Sequence, residues 1–397
     1  MSRGLRILYH HRIRADDGQA VHVRELIQAL RESGHEVLEC ALVRKSGDAE
    51  AGRPSGAGFW KRLALPRTAT EVLEILYDAR GRRMLRHAAR ASRPDFVYER
   101  HALHCRSGLE IARELGVPFL LEVNSPMSDE MSSLGLLRFG RRARKVERQV
   151  LVGADRVLAV TGVLARRLAA LGADPARTIV VPNAAVPARY GTAARAEARR
   201  KRASLALPRR AFLLGFVGYA REWHRLDLVL EAMKRPSLDR VHLAIAGEGP
   251  ALPGLACMAR EAGLASRVHR LGTVPRDDLP AWVFAFDAAL IAGINPYASP
   301  LKLFDAMAAG RAVVAPDQEN LREILIDGEN ALLFEPGNVG SLAESLERLL
   351  SDPGLAPAIG ERGRETLVSR NLTWAGNAER VIAAFEEARK ERAQCTR

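Results

Sequence analysis

The chain alternates short runs of β-branched and aliphatic residues with stretches of helical periodicity along its whole length. This alternation fits parallel strands joined by crossover helices and argues against all-helical or all-β folds. LRILYH (5–10) reads as the first strand. After the loop HRIRADDGQ, the segment VHVRELIQALRESGHEVLECALV puts Val21, Ile27 and Leu30 on one helical face, and Gly34 ends that helix before a second strand begins at His35. PDFVYER (94–100), VPFLLEVN (117–124), DRVLAV (155–160) and TIVVPN (178–183) continue the series, with helices expected near 107–115, 141–151 and 163–171. Residues 191–210 are rich in alanine and arginine with little apolar patterning, so the domain boundary is expected there. FLLGFVG, VHLAIAGEG, RVHRLGTV, DAALIA, RAVVAP and NALLFEP then restart the pattern, and helices at 341–350 and 374–392 close the chain.

The expected fold class is therefore α/β, with two tandem doubly wound parallel sheets whose carboxyl-end crevices can face one another across a cleft. Residues 1–190 form the first domain and 191–373 the second. Residues 374–397 form a final helix that crosses back to the first domain. Residues 45–70 mix Gly, Pro, Ser and scattered aromatics without a period and read as an inserted surface loop.

Composition narrows the function classes. With 47% hydrophobic and 27% charged residues over 397 positions, the chain can bury two full cores. No stretch approaches the ~20 apolar residues of a spanning helix, and the start is too polar for a signal peptide. A cytoplasmic protein is expected. Cys40, Cys105, Cys257 and Cys395 lie far apart, so neither a zinc site nor a disulfide framework is encoded. Of the formal charge of +13, almost all falls in the first half, in runs such as RGRRMLRHAAR (80–90) and RFGRRARKVER (138–148). No helix-turn-helix, zinc-finger or base-stacking signature accompanies that charge, so an anionic membrane surface is the expected partner and nucleic acid is not.

Glycine turns at strand ends mark the candidate ligand loops. Gly18 opens the first helix, where backbone amides and the positive end of the helix favour phosphate; an ordinary helix start capped by Asp17 is the structural alternative. FVGYAREWHRLDLVLEAM (216–233) repeats the design with Gly218, then Arg221 and His224, groups able to neutralise a diphosphate leaving group. AGEGP (246–250), containing Gly247 and Glu248, and LGTVPRDDLP, containing Val274, are further turns of this kind. In NPYASPLKLFDAMAAGRAVVAP (295–316), Ser299 and Pro300 are expected to start a helix carrying Leu301, Lys302 and Asp305. The Asp305 carboxylate can accept two hydrogen bonds from vicinal hydroxyls such as those of a ribose, and Lys302 with the helix-start amides can meet phosphate.

These segments, with DGQAVHVRELIQALRESGHEV, PDFVYERHALH, LLEVNSP, GADRVLAVTG and VVPN, resemble the family 4 glycosyltransferases, retaining enzymes of the GT-B fold. The SPLK wording resembles one sub-branch of that family. The resemblance implies that the second domain holds a nucleotide sugar through Gly218, Arg221, His224, Gly247, Glu248, Val274, Ser299, Pro300, Leu301, Lys302 and Asp305, with Gly18 of the first domain meeting the diphosphate through its amide. Asp305 matches the family's ribose-binding glutamate. The family's other glutamate falls at Tyr297, its usual arginine at Tyr219 and its usual lysine at His224, which are departures. In the first domain Arg100 and His101 fall where the family places a histidine near the reacting sugar. Glu122 could orient an acceptor hydroxyl or be a structural acid, and Gln19 and Asn124 are expected to face the acceptor.

The implied function is retaining transfer of a hexose or amino-hexose, from a UDP-sugar in the first instance, to a glycan or lipid-linked acceptor of envelope polysaccharide assembly, at the inner face of a membrane. Arg100, His101, Glu122 and Arg221 are the expected catalytic residues. No cofactor or metal is expected, because Lys, Arg, His and helix amides can hold the diphosphate and no D-x-D triplet ends a strand. Two alternatives share the architecture: a nucleotide-sugar 2-epimerase and a non-catalytic nucleotide-sugar-binding homologue.

Overall fold

The computed structural model describes residues 4–13, 18–41 and 67–395. They group into two compact units, Met1–Val181 with Ala378–Arg397, and Pro182–Asn377.

The first unit is built on six strands, β1 (Arg6–His11), β2 (Glu36–Ala41), β3 (Phe96–Arg100), β4 (Phe119–Val123), β5 (Arg156–Ala159) and β6 (Thr178–Val180), in the order β2-β1-β3-β4-β5-β6. All pairings are parallel. β3, β4 and β5 are buried at every position, as strands covered by helices on both faces must be. The helix Gly18–Glu32 crosses from β1 to β2 with Val23, Leu26, Ile27 and Leu30 inward. The helix Arg67–Ser92 takes up the end of the expected loop at 45–70; the rest of that loop lies outside the described residues. Its buried stripe is narrow and partly polar, Glu71, Tyr77, Asp78, Gly81, Leu85 and Ala89, so a basic outer face hides its period in the sequence. The end of the chain belongs to this unit: Phe385 stacks on Phe96 at 4.6 Å, Arg156 pairs with Glu391 at 2.6 Å and Arg392 with Asp155 at 3.0 Å.

The second unit has β7 (Phe212–Val217), β8 (Val241–Ala246), β9 (Val268–Gly272), β10 (Ala288–Leu290), β11 (Ala312–Pro316) and β12 (Leu332–Phe334), all parallel, in the order β12-β11-β10-β7-β8-β9. Gly215 has no side chain because the ring of Phe286 occupies that space, only 2.0 Å from where a Cβ would lie. The division between units falls at 181/182 rather than at 190/191. Asn183 donates its backbone N–H to Ser299 Oγ at 3.1 Å, Ala185 bridges to Thr373, and the helix Thr192–Ala203 is tied down by Arg202 to Asp287 at 2.9 Å and Lys201 to Asp278 at 2.9 Å. Only Ala198 of that helix is fully buried. Polar anchoring leaves no apolar period to read, so the segment looks like a connector in sequence.

Candidate functional site

In the second unit the strand order reverses between β7 and β10, where open parallel sheets form a crevice beyond the carboxyl ends of their strands. The loops leaving these two strands touch: a Cβ on Gly293 would lie 2.5 Å from the carbonyl oxygen of Trp223. The loop after β8 is packed equally closely on the loop after β7. Gly247 and Gly249 adopt φ of 142° and 152°, and a Cβ on either would fall 2.1 Å from the carbonyl oxygen of Gly218 or Ala220. The need for these glycines comes from that backbone contact, which Gly218 N–H to Ala246 O at 2.9 Å and Ala220 N–H to Glu248 O at 2.7 Å lock in place. The Glu248 carboxylate faces Arg270 at 3.7 Å.

Lys302 and Arg221 supply the charge. Lys302 projects from the first turn of the helix Leu301–Ala308 and holds its ammonium 3.8 Å from the centre of the Phe216 ring, without an ion pair among the described residues. Burial pulls its pKa down to about 7. Gly218, at φ 131°, keeps the space before that ammonium open, since a Cβ there would sit 3.4 Å from Nζ. The Arg221 guanidinium lies 5.0 Å from the Tyr219 ring and 4.9 Å from Trp223, two exposed aromatics, and also has no carboxylate partner among the described residues.

Burial, then the Lys302 and Arg221 charges, hold the His224 imidazole down to about 3, so it is neutral in this structure. Its Nδ1 accepts the Arg221 backbone N–H at 3.1 Å, which leaves the proton on Nε2 as a neutral hydrogen-bond donor.

The start of the helix differs by one residue from expectation: Pro300 is the flanking residue and Leu301 the first helical one. Ser299 is buried and held by Asn183, whose side-chain amide also donates to the Ser299 carbonyl at 2.5 Å. Asp305 lies one turn beyond Lys302 and accepts the Tyr190 hydroxyl at 2.7 Å. Tyr297 is buried near its neighbour Asn295, so an apolar ring fills the position of the family's first glutamate. Val274 packs on the cluster containing Trp282 and Phe284.

In the first unit the order reverses between β1 and β3, and the residues near that point are tied to one another. Glu122 on β4 accepts from Arg100 at 2.5 Å, Tyr98 at 2.8 Å, Asn124 at 2.6 Å and Tyr9 at 3.4 Å, and faces His22 at 3.0 Å. Burial raises its pKa, but His22, Arg100 and the hydrogen bonds outweigh burial and hold the carboxyl well below the usual range. With its lone pairs committed, Glu122 is a structural acid and does not orient an acceptor hydroxyl; Arg100, as its counter-ion, is likewise committed. His101 faces Glu147 at 3.1 Å through Nε2, and its buried Nδ1 has no hydrogen-bond partner among the described residues. Gly18 and Gln19 sit exposed at the start of their helix, while Asp17 lies outside the described residues.

His10, Glu99 and Cys105 lie close enough to hold a metal ion, with ligand atoms within 4.8 Å of one another. Their donors are spent locally: His10 Nδ1 is 2.5 Å from Glu99, which also accepts the Gly108 N–H at 2.9 Å, and burial pushes the Cys105 thiol up and away from thiolate.

Sequence reasoning gave no site role to Tyr190, His22 or Trp223. Tyr190 stands ahead of the alanine- and arginine-rich stretch with no pattern around it, and its partner is 115 residues away. His22 sits on the apolar face of its helix and reads there as core.

Two family models divide the chain: Glycosyl transferase 4-like domain matches residues 17–184 and Glycosyl transferases group 1 matches residues 197–366. The D-inositol 3-phosphate glycosyltransferase of Thermomonospora curvata is 30% identical over 320 residues, covering 74% of this chain and 72% of its own. Among solved structures, sucrose-phosphate synthase of Thermosynechococcus elongatus superposes with a TM-score of 0.75 at 20% identity over 96% of this chain and 98% of its own. Anabaena HepE in complex with UDP-glucose gives 0.72 at 17% over 96% and 100%. Two doubly wound six-stranded parallel sheets shared at this level make the fold that of the GT-B glycosyltransferases. Within that class, the chain belongs to the glycosyltransferase family whose second half is the group 1 domain and whose first half is the 4-like domain.

Proposed function

We propose that this protein is a retaining glycosyltransferase of family 4, in its SPLK sub-branch, that transfers a hexose or amino-hexose from a UDP-sugar to a glycan or lipid-linked acceptor. One observation carries the donor half of this reading: Lys302 and Arg221 meet at the β7/β10 crevice as cations with no carboxylate paired to either among the described residues. The Lys302 ammonium is desolvated without a counter-ion, which is costly unless an anion completes it, while the exposed Arg221 adds a second positive group beside it, and a nucleoside diphosphate supplies the matching charge. The neutral His224 donates a hydrogen bond, Asp305 meets the ribose with its orientation fixed by Tyr190, and the helix-start amides after Pro300 face the phosphates. In front-face substitution the departing phosphate takes the acceptor proton, so positioning and charge stabilisation supply most of the rate and no metal is called for. UDP is favoured as the nucleotide because Anabaena HepE, which shares the fold, was solved in complex with UDP-glucose.

The acceptor half rests on the first unit's surface. Leu73 and Leu76 on the helix Arg67–Ser92 are 52% and 61% exposed, and Leu134 and Phe139 are also exposed. Arg67 donates to the Leu136 carbonyl and Glu71 accepts the Arg138 and Phe139 N–H groups, so these residues form one patch, with exposed Arg80, Arg83, Arg138, Arg141 and Arg142 around it. Apolar side chains ringed by arginine suit an anionic bilayer at the inner face of a membrane, where a lipid-linked acceptor is presented. No helix among the described residues is long and apolar enough to cross a membrane.

Thermal unfolding with UDP, GDP, ADP, dTDP and their sugars tests the donor reading, because a ligand that binds only the folded form raises Tm by mass action. UDP and one UDP-sugar should stabilise the native chain and fail to stabilise Lys302→Ala and Asp305→Ala. Equal shifts in all three proteins, or none in the native chain, would sink it. Incubating the stabilising sugar nucleotide without acceptor separates transfer from 2-epimerisation, which alone would yield an isomer.

A further inference from the structure

The second unit has a cavity of about 760 Å³ at the amino ends of β7, β10 and β11, opposite the ends that carry Lys302 and Arg221. Arg195, Arg210, Arg240 and Arg311 line it, and none of the four has a carboxylate partner among the described residues. The acids at its wall are already engaged: Asp287 accepts the Leu213 N–H at 2.7 Å and pairs with Arg202, and Glu361 pairs with Arg364. Arg195 and Arg311 both lie over the Phe284 ring, at 5.1 and 5.8 Å, so two guanidinium groups share one aromatic ring and repel each other, with Asp287 and Glu361 near them but paired to other arginines. Arg311 donates to the Phe286 carbonyl at 3.2 Å, while its Nε is buried without a hydrogen-bond partner.

Like charges held this close on a hydrophobic support repel, and a buried donor without an acceptor costs free energy. Both costs are relieved by a ligand that brings several negative oxygens, and the planar forks of arginine match phosphate oxygens two at a time. The wall formed by Leu349, Leu350 and Pro353 gives an organic portion an apolar surface to lie on. The cavity's volume is in the range of small-molecule sites.

We propose that this cavity binds a small phosphorylated molecule, separate from the nucleotide-sugar crevice on the same sheet. Binding here does not depend on the transferase reading. Tyr190 lines the cavity and bonds to Asp305, so a single side chain touches both the cavity and the candidate ribose acid.

Isothermal titration of the full chain with inorganic phosphate, pyrophosphate and a hexose 6-phosphate tests the proposal. At least one probe should bind, and Arg195→Glu and Arg210→Glu, both exposed and so safe for folding, should each weaken it at least tenfold. Arg311→Gln, checked for native unfolding behaviour, should do the same, while Lys302→Ala should leave that binding within about twofold. Tighter retention by the hexose phosphate than by inorganic phosphate would show that the apolar wall is used; equal affinity would identify a bare phosphate site. Binding that is lost in Lys302→Ala and kept in Arg195→Glu and Arg210→Glu would overturn the proposal by assigning the anion to the crevice, as would no binding of any probe.

Discussion

The Lys302 ammonium lies 3.8 Å from the centre of the Phe216 ring, facing an aromatic and paired with no acid among the described residues. Its lowered pKa, about 7, makes donor binding pH-dependent in a direction that can be worked out. The cation is present below pH 7 and lost above it. A terminal phosphate loses its second proton near pH ~6, so between pH 7 and 9 the ligand's charge is constant and the lysine's is not. Nucleotide-induced stabilisation should shrink over that window in the native chain and stay level in Lys302→Arg. For the unliganded protein the sign reverses: the unfolded lysine titrates near ~10.4 and binds more protons than the folded one. Stability without ligand should therefore rise with pH from about 7 towards 10, and Lys302→Met should remove that rise.

Tyr190 and Asp305 form a second pair with separable consequences. Tyr190→Phe removes one donor from a half-buried carboxylate, a loss of about 1–2 kcal/mol in urea unfolding. Nucleotide affinity should fall several-fold in the same variant, because the carboxylate loses its orientation while keeping its charge. Asp305→Asn should lose more affinity than Tyr190→Phe.

Glu122 is expected to matter for folding and little for turnover. Removing it strands Arg100 and His22 in the interior, and breaking a buried ion pair costs about 3–5 kcal/mol. The folded carboxyl titrates below its ordinary value of 4.5, so its contribution is complete above pH ~4.5 and fades as pH falls beneath it. Acid unfolding of the native chain should thus be steeper below that pH than that of Glu122→Gln. Folded Glu122→Gln should keep its turnover within a small factor; a loss of several orders of magnitude would restore a catalytic role.

Gly249→Ala tests the loop packing on which the crevice depends. An alanine Cβ would lie 2.1 Å from the Ala220 carbonyl oxygen at a φ of 152°, so the loop must move. The cost should exceed about 3 kcal/mol by chemical denaturation. Gly254→Ala, at a helical position with open space around it, should be tolerated.

Vesicle sedimentation tests the membrane-facing patch. The native chain should bind vesicles containing anionic lipid and release them at high salt, and should ignore vesicles of neutral lipid alone. Leu73→Glu with Leu76→Glu should weaken that binding at least tenfold without altering nucleotide-induced stabilisation. Equal sedimentation with neutral lipid would remove the electrostatic part of the proposal.

The sequence by itself determined the two successive α/β halves, the glycine turns and the helix bearing Lys302 and Asp305, because hydrophobic period and turn chemistry are local. It also placed Arg221 and Lys302 at strand ends. Tertiary structure decided which of these groups carry charge and which are already engaged. His224 is neutral because it is buried beside two cations, and Glu122 is committed because β1, β3, β4 and the first helix converge on it. The domain boundary moved to 181/182 because Asn183 and Tyr190 reach Ser299 and Asp305, more than a hundred residues away in sequence. Protonation and pairing depend on neighbours brought from distant parts of the chain, and no local pattern encodes such neighbours.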